Sequence, residues 1–335
     1  SRNANDGISL AQTAEGALSK VGDMLQRMRE LAVQAGNATN SKGDREALNA
    51  ELVQLRDEVD RVAKTTSFNG KKVLDGSFTG GVFQVGANSG DNITVGALAN
   101  TKVDQLGKTE FGTTSVTGIA DASKTAAANN MTNADVTIVI TGANQVSAQV
   151  TIAKDADVTG DEALGRVVQA INSKTADTGI VAFLAEDGKS IQYRAEKNAD
   201  GVLASATMAV SGTAAGVTAL LANPTTANAD QTGIHKMDIK TQAGAWESLQ
   251  RIDSALDKVS SARAELGAIQ TRFEKSIENI DIMQENISAA RGRITDADFA
   301  KETANLSRTQ ILQQAGTAMV AQANQLPQQV LQLLQ

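Results

Sequence analysis

The sequence is notable for the residue types that it lacks. It has no cysteine among 335 residues, which excludes disulfide bonds and a thiol nucleophile. A single histidine, His235, excludes metal sites and protease motifs that require two histidines. Two prolines and 3% aromatic residues are both low, and few prolines leave few slow isomerisation steps in folding.

No apolar run approaches the ~20 residues that a membrane span needs. The net charge of -7 argues against nucleic acid, so we expect neither a membrane nor a nucleic-acid partner.

Signals for catalysis are also missing. There is no Gly-x-Ser-x-Gly elbow, and the glycine-rich residues 76–90 lack the Lys-Ser/Thr ending of a phosphate loop. The acidic pairs Asp155/Asp157 and Asp296/Asp298 could attract calcium, but neither has the full EF-hand pattern, so solvated charge or helix capping is the better interpretation. Thr295 with Asp298 fits a helix N-terminus. We predict that the protein is not an enzyme and carries no metal or cofactor.

A long amphipathic helix is predicted near the C-terminal end. Between Trp246 and Ile294 there is no proline, and apolar residues recur at alternating steps of three and four. These are Ile252, Leu256, Val259, Leu266, Phe273, Ile277, Ile280 and Ile287. Such a helix would extend roughly 70 Å, which exceeds any compact core and requires an equally long partner.

The N-terminal part supplies that partner. One series runs without a break through Ala11, Ala14, Leu18, Val21, Leu25, Met28, Ala32 and Ala35, and a second through Leu48, Leu52, Leu55, Val59 and Val62. The charged pairs Asp23/Arg27 and Asp57/Arg61 are spaced four apart on these helices. An ordinary globular helical core is the alternative, but the sustained heptads favour a coiled-coil-like rod.

The middle of the chain has a different pattern. Asn69-Gly70 predicts a tight turn, and short strands are expected at residues 83–85 and 92–95. Further strands are predicted at residues 136–140, 149–152, 180–184 and 191–194, with a helix at 161–172 capped by Thr159 or Asp161. The predicted fold class is therefore α+β and multidomain, with a rod formed by both chain ends and a β-rich outer domain inserted between them.

Several sequence motifs at both ends resemble bacterial flagellins. They are LQRMRELAVQ at 25–34, FNGKKVL at 68–74 and FQVGAN at 83–88, then SAARGRI at 288–294 followed by Asp296, Asp298 and Phe299, and QANQLPQQVL at 322–331. The resemblance implies rod segments at residues 1–98 and 241–294, an outer domain at 99–240 and a filament-inner segment at 295–335. It also implies that the family's first several dozen residues are missing here, so that the innermost bundle cannot close and this chain stays largely monomeric.

The C-terminal segment has the clearest chemical character. After Glu302 its only charged side chain is Arg308, and the remainder is apolar or amide-rich. We predict a disordered or loosely helical tail in the free chain that becomes helical when other copies cover it. A membrane-surface helix is the rival, but it would carry a Lys/Arg-rich polar face. The candidate self-assembly residues are Leu306, Ile311, Leu312, Met319, Val320, Val330, Leu331, Leu333 and Leu334.

The resemblance implies a function in the bacterial flagellar filament. The chain is expected to be a secreted structural subunit that forms a helical homopolymer used for motility. The alternatives are a cell-surface adhesin or carbohydrate-binding protein and a hook–filament junction protein. Implied partners are an export chaperone at the C-terminal segment, the filament cap and hook-associated proteins, and a vertebrate innate receptor of the Toll-like class. Arg27, Leu31 and Glu51 match the family's receptor-contact positions, while the alternative is that Arg27 pairs only with Asp23 and Leu31 packs within the bundle.

Overall fold

The computed structural model describes residues 2–86, 90–196, 206–212, 214–224 and 233–332, with the side chains of 296–298 and 325–332 outside that description. The helices are α1 (Arg2–Ala35), α2 (Lys42–Thr65), α3 (Asp121–Asn133), α4 (Gly160–Asn172), α5 (Thr175–Thr178), α6 (Ala215–Thr218) and α7 (Gln242–Gln332), with a 3-10 turn at Ile234–Lys236. The strands are β1 (Ser67–Phe68), β2 (Lys71–Lys72), β3 (Gly81–Gln84), β4 (Asn92–Val95), β5 (Gly112–Val116), β6 (Val136–Thr141), β7 (Ser147–Ile152), β8 (Ile180–Leu184), β9 (Ile191–Ala195) and β10 (Thr207–Ser211).

The chain divides into two compact units. One comprises Ser1–Asn5, Phe83–Ile93 and Thr271–Gln335, and the other comprises Asp6–Val82 and Thr94–Gln270. We call them the tail unit and the main unit. The predicted fold class is confirmed, since long helices come from both ends of the chain and a sheet-containing part lies between them in sequence. The domain boundaries at 98/99, 240/241 and 294/295 remain predictions.

In the main unit, three helical segments pack together along their predicted apolar stripes. Every residue of the predicted series from Ala11 to Ala35 on α1 is buried, and so are Leu52 and Val59 on α2 and Ile252, Val259 and Leu266 on α7. The first part of α7 runs antiparallel to α1, because Arg263 binds Glu15 at 2.7 Å and Arg29 binds Asp253 at 2.7 Å.

The ends of these helices are set by identifiable residues. Ser41 caps α2 in a reciprocal capping box with Asp44, whose pKa is lowered by the hydrogen bond from the Ser41 hydroxyl. Arg45, with a side chain 5% exposed, donates to the carbonyls of Ala35 and Asn37 at 3.0 and 3.2 Å. Arg45 thereby supplies donors to carbonyls at the end of α1 that have no hydrogen-bond partner within the helix.

The β-containing part of the main unit holds two three-stranded antiparallel sheets, ordered β10-β6-β7 and β5-β9-β8. Strands β6 to β9 and helix α4 confirm the predictions, and Thr159 caps α4 in a capping box with Glu162. One face of the first sheet supplies Val136, Ile138 and Ile140 to a core that also includes Tyr193. Strands β5 and β10 and helix α3 were not anticipated, since their sequences are rich in Thr, Ala, Ser and Asn with weak periodicity.

This β-containing part packs against the helices of the main unit and forms ion pairs with them. Phe111 contacts Trp246 on α7 edge-on with ring centroids 5.9 Å apart, and the guanidinium of Arg251 lies 5.3 Å above the Phe111 ring. Arg194 of β9 binds Glu247 of α7 at 2.6 Å, and Arg45 binds Glu186 at 2.8 Å. Together these contacts join the sheet β5-β9-β8 to α2 and α7.

Candidate assembly surface

The last part of α7 exposes a series of large apolar side chains. Phe299 is 76% exposed and Met319 is 71% exposed, although both are among the largest apolar residues of the segment. The other exposed members in the tail unit are Ile282, Met283, Ile287, Ile294, Leu306, Ile311, Leu312 and Val320. A monomeric soluble protein rarely leaves so many large apolar side chains uncovered along one helix, so this series is the candidate functional surface.

Burial along the predicted ladder of α7 declines towards its C-terminal end. Phe273 is fully buried and meets Phe83 edge-on with ring centroids 5.5 Å apart, whereas Ile280 is half-buried and Ile287 is 65% exposed. Val85 and Ile93 lie opposite Ile280, Met283 and Ile287 across an open groove of about 900 Å³ within the tail unit. The apolar pattern therefore continues beyond the point where it is covered.

Helical geometry puts part of this series on one face. Met283, Ile287, Ile294, Leu312 and Met319 are separated by four, seven, eighteen and seven residues, each close to a whole number of turns at 3.6 residues per turn. We call these residues the assembly face. Phe299, Leu306 and Val320 lie on a second side of the helix by the same arithmetic.

Threonine hydroxyls in this segment are turned back onto the helix. Thr295 donates to the carbonyl of Arg291 at 2.6 Å, Thr309 to that of Asn305 at 2.8 Å, and Thr317 to that of Gln314 at 2.9 Å. Because these hydroxyls donate to carbonyls of the same helix, the surface is less polar than its sequence suggests. The prediction that a helix begins at Thr295 was wrong, because α7 passes through this residue and its hydroxyl bonds to the preceding turn.

The predicted self-assembly residues fall into two groups. Leu306, Ile311, Leu312, Met319 and Val320 are between 58% and 71% exposed. The side chains of Val330 and Leu331, together with Leu333 and Leu334, lie outside the described residues. The predicted disordered or loosely helical tail differs from the structure, in which the segment is helical as far as Gln332 with its described side chains exposed from 299 to 324.

The structure brings two of the three receptor-contact candidates together. Arg27 binds Glu51 at 2.8 Å and Glu30 at 2.9 Å, and the hydrogen bonds to Glu30 and then Glu51 raise the pKa of Arg27. Leu31 is fully buried, so its side chain is not available on the surface, in line with the alternative that it packs within the bundle.

Neither of the two ion pairs predicted between charged residues four apart is the one that forms. Arg27 turns towards Glu30 and Glu51 rather than Asp23, because α2 packs beside α1 and brings Glu51 within reach. Arg61 binds Glu58, three residues before it, while Asp57 binds the adjacent Arg56 at 2.9 Å. Tertiary neighbours and shorter spacings thus replace the pairing expected for an isolated helix.

The acidic residues that the sequence offered as calcium ligands do not form a metal cluster in the described part of the chain. No group of three or more potential metal-ligating side chains occurs among the described residues. Asp155 is paired with Arg166, and this hydrogen bond lowers the pKa of Asp155. The side chains of Asp296 and Asp298 lie outside the description. The described helices include none long and apolar enough to cross a membrane.

Comparison with known proteins settles the family. Residues 1–79 match the model of the bacterial flagellin N-terminal helical region, and residues 249–334 match that of the C-terminal helical region. Flagellin A of Vibrio cholerae is 41% identical over 338 residues, covering 100% of this chain and 83% of the relative. The chain belongs to the bacterial flagellin family.

A second curated relative and a solved structure are also similar to this chain. Polar flagellin C of Vibrio parahaemolyticus is 38% identical over 344 residues, again with 100% of this chain and 83% of the relative covered. The structure of FliC from Burkholderia pseudomallei is 24% identical, with 79% of this chain and 99% of that chain covered and a TM-score of 0.46.

Family membership establishes the general role. A flagellin is a structural subunit that is exported, polymerises into the extracellular flagellar filament and associates with hook-associated proteins. The sequence-based prediction of a filament subunit is therefore confirmed, and the adhesin and junction-protein alternatives are not favoured. The family is a structural one rather than a family of enzymes.

Proposed function

We propose that the assembly face of α7 is the surface that other copies of the chain cover in the filament. The observation that carries the proposal is the exposure of Met283, Ile287, Ile294, Leu312 and Met319 on one side of the helix. After Glu302 only Arg308 is charged, so few charges have to be desolvated when this part of the helix is covered.

The energy of burial is adequate for this role. Fully burying one large apolar side chain contributes about 1.5–3 kcal/mol. Several such residues together reach the order of the ~4–15 kcal/mol that association costs in lost freedom. Removing one or two of them should therefore shift the equilibrium between free chain and filament visibly.

The test is co-polymerisation with a filament-forming flagellin of the family. The double variant Leu312→Ser and Met319→Ser should pellet with filaments at least tenfold less than the unaltered chain, because each change removes about 1.4 kcal/mol or more of burial. Gln314→Ser is the matched control, since Gln314 lies on the same exposed helix but away from the assembly face. Equal pelleting of all three chains would reject the assembly face.

A second part of the proposal concerns events before assembly. An apolar surface that is covered only in the filament needs protection during export, and a flagellar export chaperone binding residues 295–335 would supply it. The prediction is that Leu312→Ser with Met319→Ser weakens chaperone binding in calorimetric titration, whereas Gln314→Ser leaves it unchanged. Growth at the filament tip would then place the released segment beneath the filament cap.

Recognition by a vertebrate Toll-like innate receptor is proposed at the Arg27–Glu51 pair. Arg27 offers a half-exposed guanidinium whose planar donors suit a carboxylate or carbonyl of a partner. Leu31, being buried, is proposed to act by holding this part of α1 in place rather than by touching the receptor. Arg27→Ala should weaken receptor binding roughly tenfold with helix content unchanged. Arg61→Ala is the control, and unaltered affinity of the Arg27 variant would exclude the site.

A further inference from the structure

The turn between β1 and β2 contains the only Asn-Gly step in the sequence. Asn69 and Gly70 are both exposed, and their φ angles of 47° and 78° are those of a tight hairpin turn. The turn joins two strands of two residues each, Ser67–Phe68 and Lys71–Lys72. A two-stranded hairpin of this length is marginally stable, so local opening at the turn costs little free energy.

The side-chain amide of Asn69 and the backbone amide of Gly70 are both free to react. Among the described residues, neither group makes a hydrogen bond to a side chain or to backbone outside the strand pairing. Apart from the adjoining residues, no atom lies within 4 Å of the position that a Cβ of Gly70 would occupy. The Gly70 nitrogen therefore has an unhindered approach to the side-chain carbonyl carbon of Asn69, and solvent reaches both groups.

Two Asp-Gly turns of the main unit are protected by hydrogen bonds that this Asn-Gly turn lacks. Asp75 accepts from the Ser77 amide at 2.9 Å and from the Ser77 hydroxyl at 2.6 Å. The bond from the Ser77 hydroxyl, followed by that from the amide, lowers the pKa of Asp75, and an ionised carboxylate is a poor electrophile. Asp187 similarly accepts from the Lys189 amide at 2.9 Å and the Ser190 hydroxyl at 3.0 Å. The Asn-Gly turn therefore combines a neutral electrophile with an unprotected side chain.

We propose that Asn69 is a site of spontaneous deamidation. The Gly70 nitrogen, after losing its proton to hydroxide, attacks Cγ of Asn69. The bond from Cγ to the side-chain nitrogen then breaks, and that nitrogen takes up a proton from water and leaves as ammonia. Water opens the resulting cyclic succinimide at either of its two carbonyls, which gives aspartate in one case and isoaspartate in the other. Water is the only co-reactant, so the reaction needs no enzyme, oxidant or reductant.

Both products change the hairpin. Aspartate places a carboxylate next to Lys71 and Lys72 and makes the chain more acidic. Isoaspartate routes the main chain through the former side chain, and the additional backbone carbon is incompatible with a two-residue turn that sets Phe68 opposite Lys71. Isoaspartate therefore separates β1 from β2 and uncovers Phe68, which is half-buried in the unaltered chain. The site is independent of the assembly face of α7.

Peptide mass spectrometry on the incubated full chain tests the proposal. Trypsin releases residues 65–71 as one peptide, in which Asn69 has the only amide side chain, and a zero-time sample corrects for reaction during digestion. Asn172 is the internal control, since its side chain accepts from the Ala182 amide at 2.8 Å and donates to the Ala182 carbonyl at 2.9 Å. Deamidation should be at least about tenfold faster at Asn69, because opening the turn costs less than releasing Asn172. Equal rates at the two asparagines, or an unmodified Asn69, would overturn the proposal.

The pH dependence and the products test the ring-closing step. The rate at Asn69 should rise in proportion to the hydroxide concentration, and chromatography should resolve both an aspartate and an isoaspartate form of the peptide. Asn69→Gln keeps an amide but must close a larger ring, so the peptide of that variant should stay unmodified over the same period. Aspartate as the sole product, or equal deamidation of the Asn69→Gln chain, would show that the Gly70 nitrogen is not the nucleophile.

Discussion

The first and last parts of α7 use similar residues in opposite environments. From Gln242 to Gln270 the helix buries Ile252, Val259 and Leu266 within the main unit. From 299 to 324, in the tail unit, side chains of the same kind are exposed. An apolar helical stripe thus identifies a surface that will be covered, but it does not say whether the cover comes from the same chain or from another one.

Charge distinguishes the two parts. The first part is flanked by ion pairs to α1, between Arg263 and Glu15 and between Asp253 and Arg29. After Glu302 the last part has only Arg308. Charged flanks fix which surfaces meet and disfavour wrong ones. The segment after Glu302, with its single charge, has few such constraints on the surfaces that it can meet.

The largest expected effect comes from a matched pair of leucines on this helix. Leu266 is 1% exposed and Leu306 is 58% exposed. Leu266→Ala should lower the free energy of unfolding by about 2–5 kcal/mol, because it leaves a cavity in the main unit. Leu306→Ala should change it by less than about 0.5 kcal/mol. Urea denaturation followed by circular dichroism measures both, and similar losses would erase the distinction between the two parts of α7.

A smaller effect is expected from the buried arginine between α1 and α2. Arg45→Gln removes donors from the carbonyls of Ala35 and Asn37 and breaks the ion pair with Glu186. The free energy of unfolding should fall by about 1–3 kcal/mol, the usual cost of leaving buried acceptors unpaired. The control is Arg61→Gln, because that exposed arginine binds only its helix neighbour Glu58 in the described contacts. An equal loss of unfolding free energy in both variants would show that the burial of Arg45 does not contribute to stability.

The smallest effect concerns the cap of α2. Ser41→Ala should cost about 1 kcal/mol, since the Ser41 side chain accepts from the Asp44 amide. The pKa of Asp44 is lowered in the folded chain by Ser41, so its contribution is present above the ordinary carboxyl pKa and is lost as the pH falls through the lowered value. Stability of the unaltered chain should therefore decrease in acid more than that of Ser41→Ala. Parallel pH profiles of the two chains would contradict this assignment.

Most of the helices and turns that were predicted correctly have a signal in the local sequence. The three-four ladder placed α1, α2 and α7, and Asn69-Gly70 forms the predicted turn with φ of 47° and 78°, values that an Asn-Gly pair adopts at low cost. Thr159, one of the two predicted caps, marked the start of α4. These features depend on neighbours in sequence, so a single sequence contains them.

Features that depend on tertiary packing could not be predicted in the same way. The burial of Leu31 and the pairing of Arg27 with Glu51 result from α2 lying beside α1, which periodicity does not specify residue by residue. The buried Arg45 gives no sequence signal either, because its partners include two backbone carbonyls. The composition of 295–335 did indicate an uncovered apolar surface, but the composition of a segment does not say which side of the helix it occupies.

Hydrogen–deuterium exchange on the free chain and on filaments that contain it tests the central claim most directly. Amides of 299–324 should exchange much faster in the free chain than in the filament, because an uncovered helical segment opens locally at little cost. Amides around Ile252, Val259 and Leu266 should be protected in both states, since the chain covers them itself. Equal protection of 299–324 in the free chain and in the filament would contradict the account.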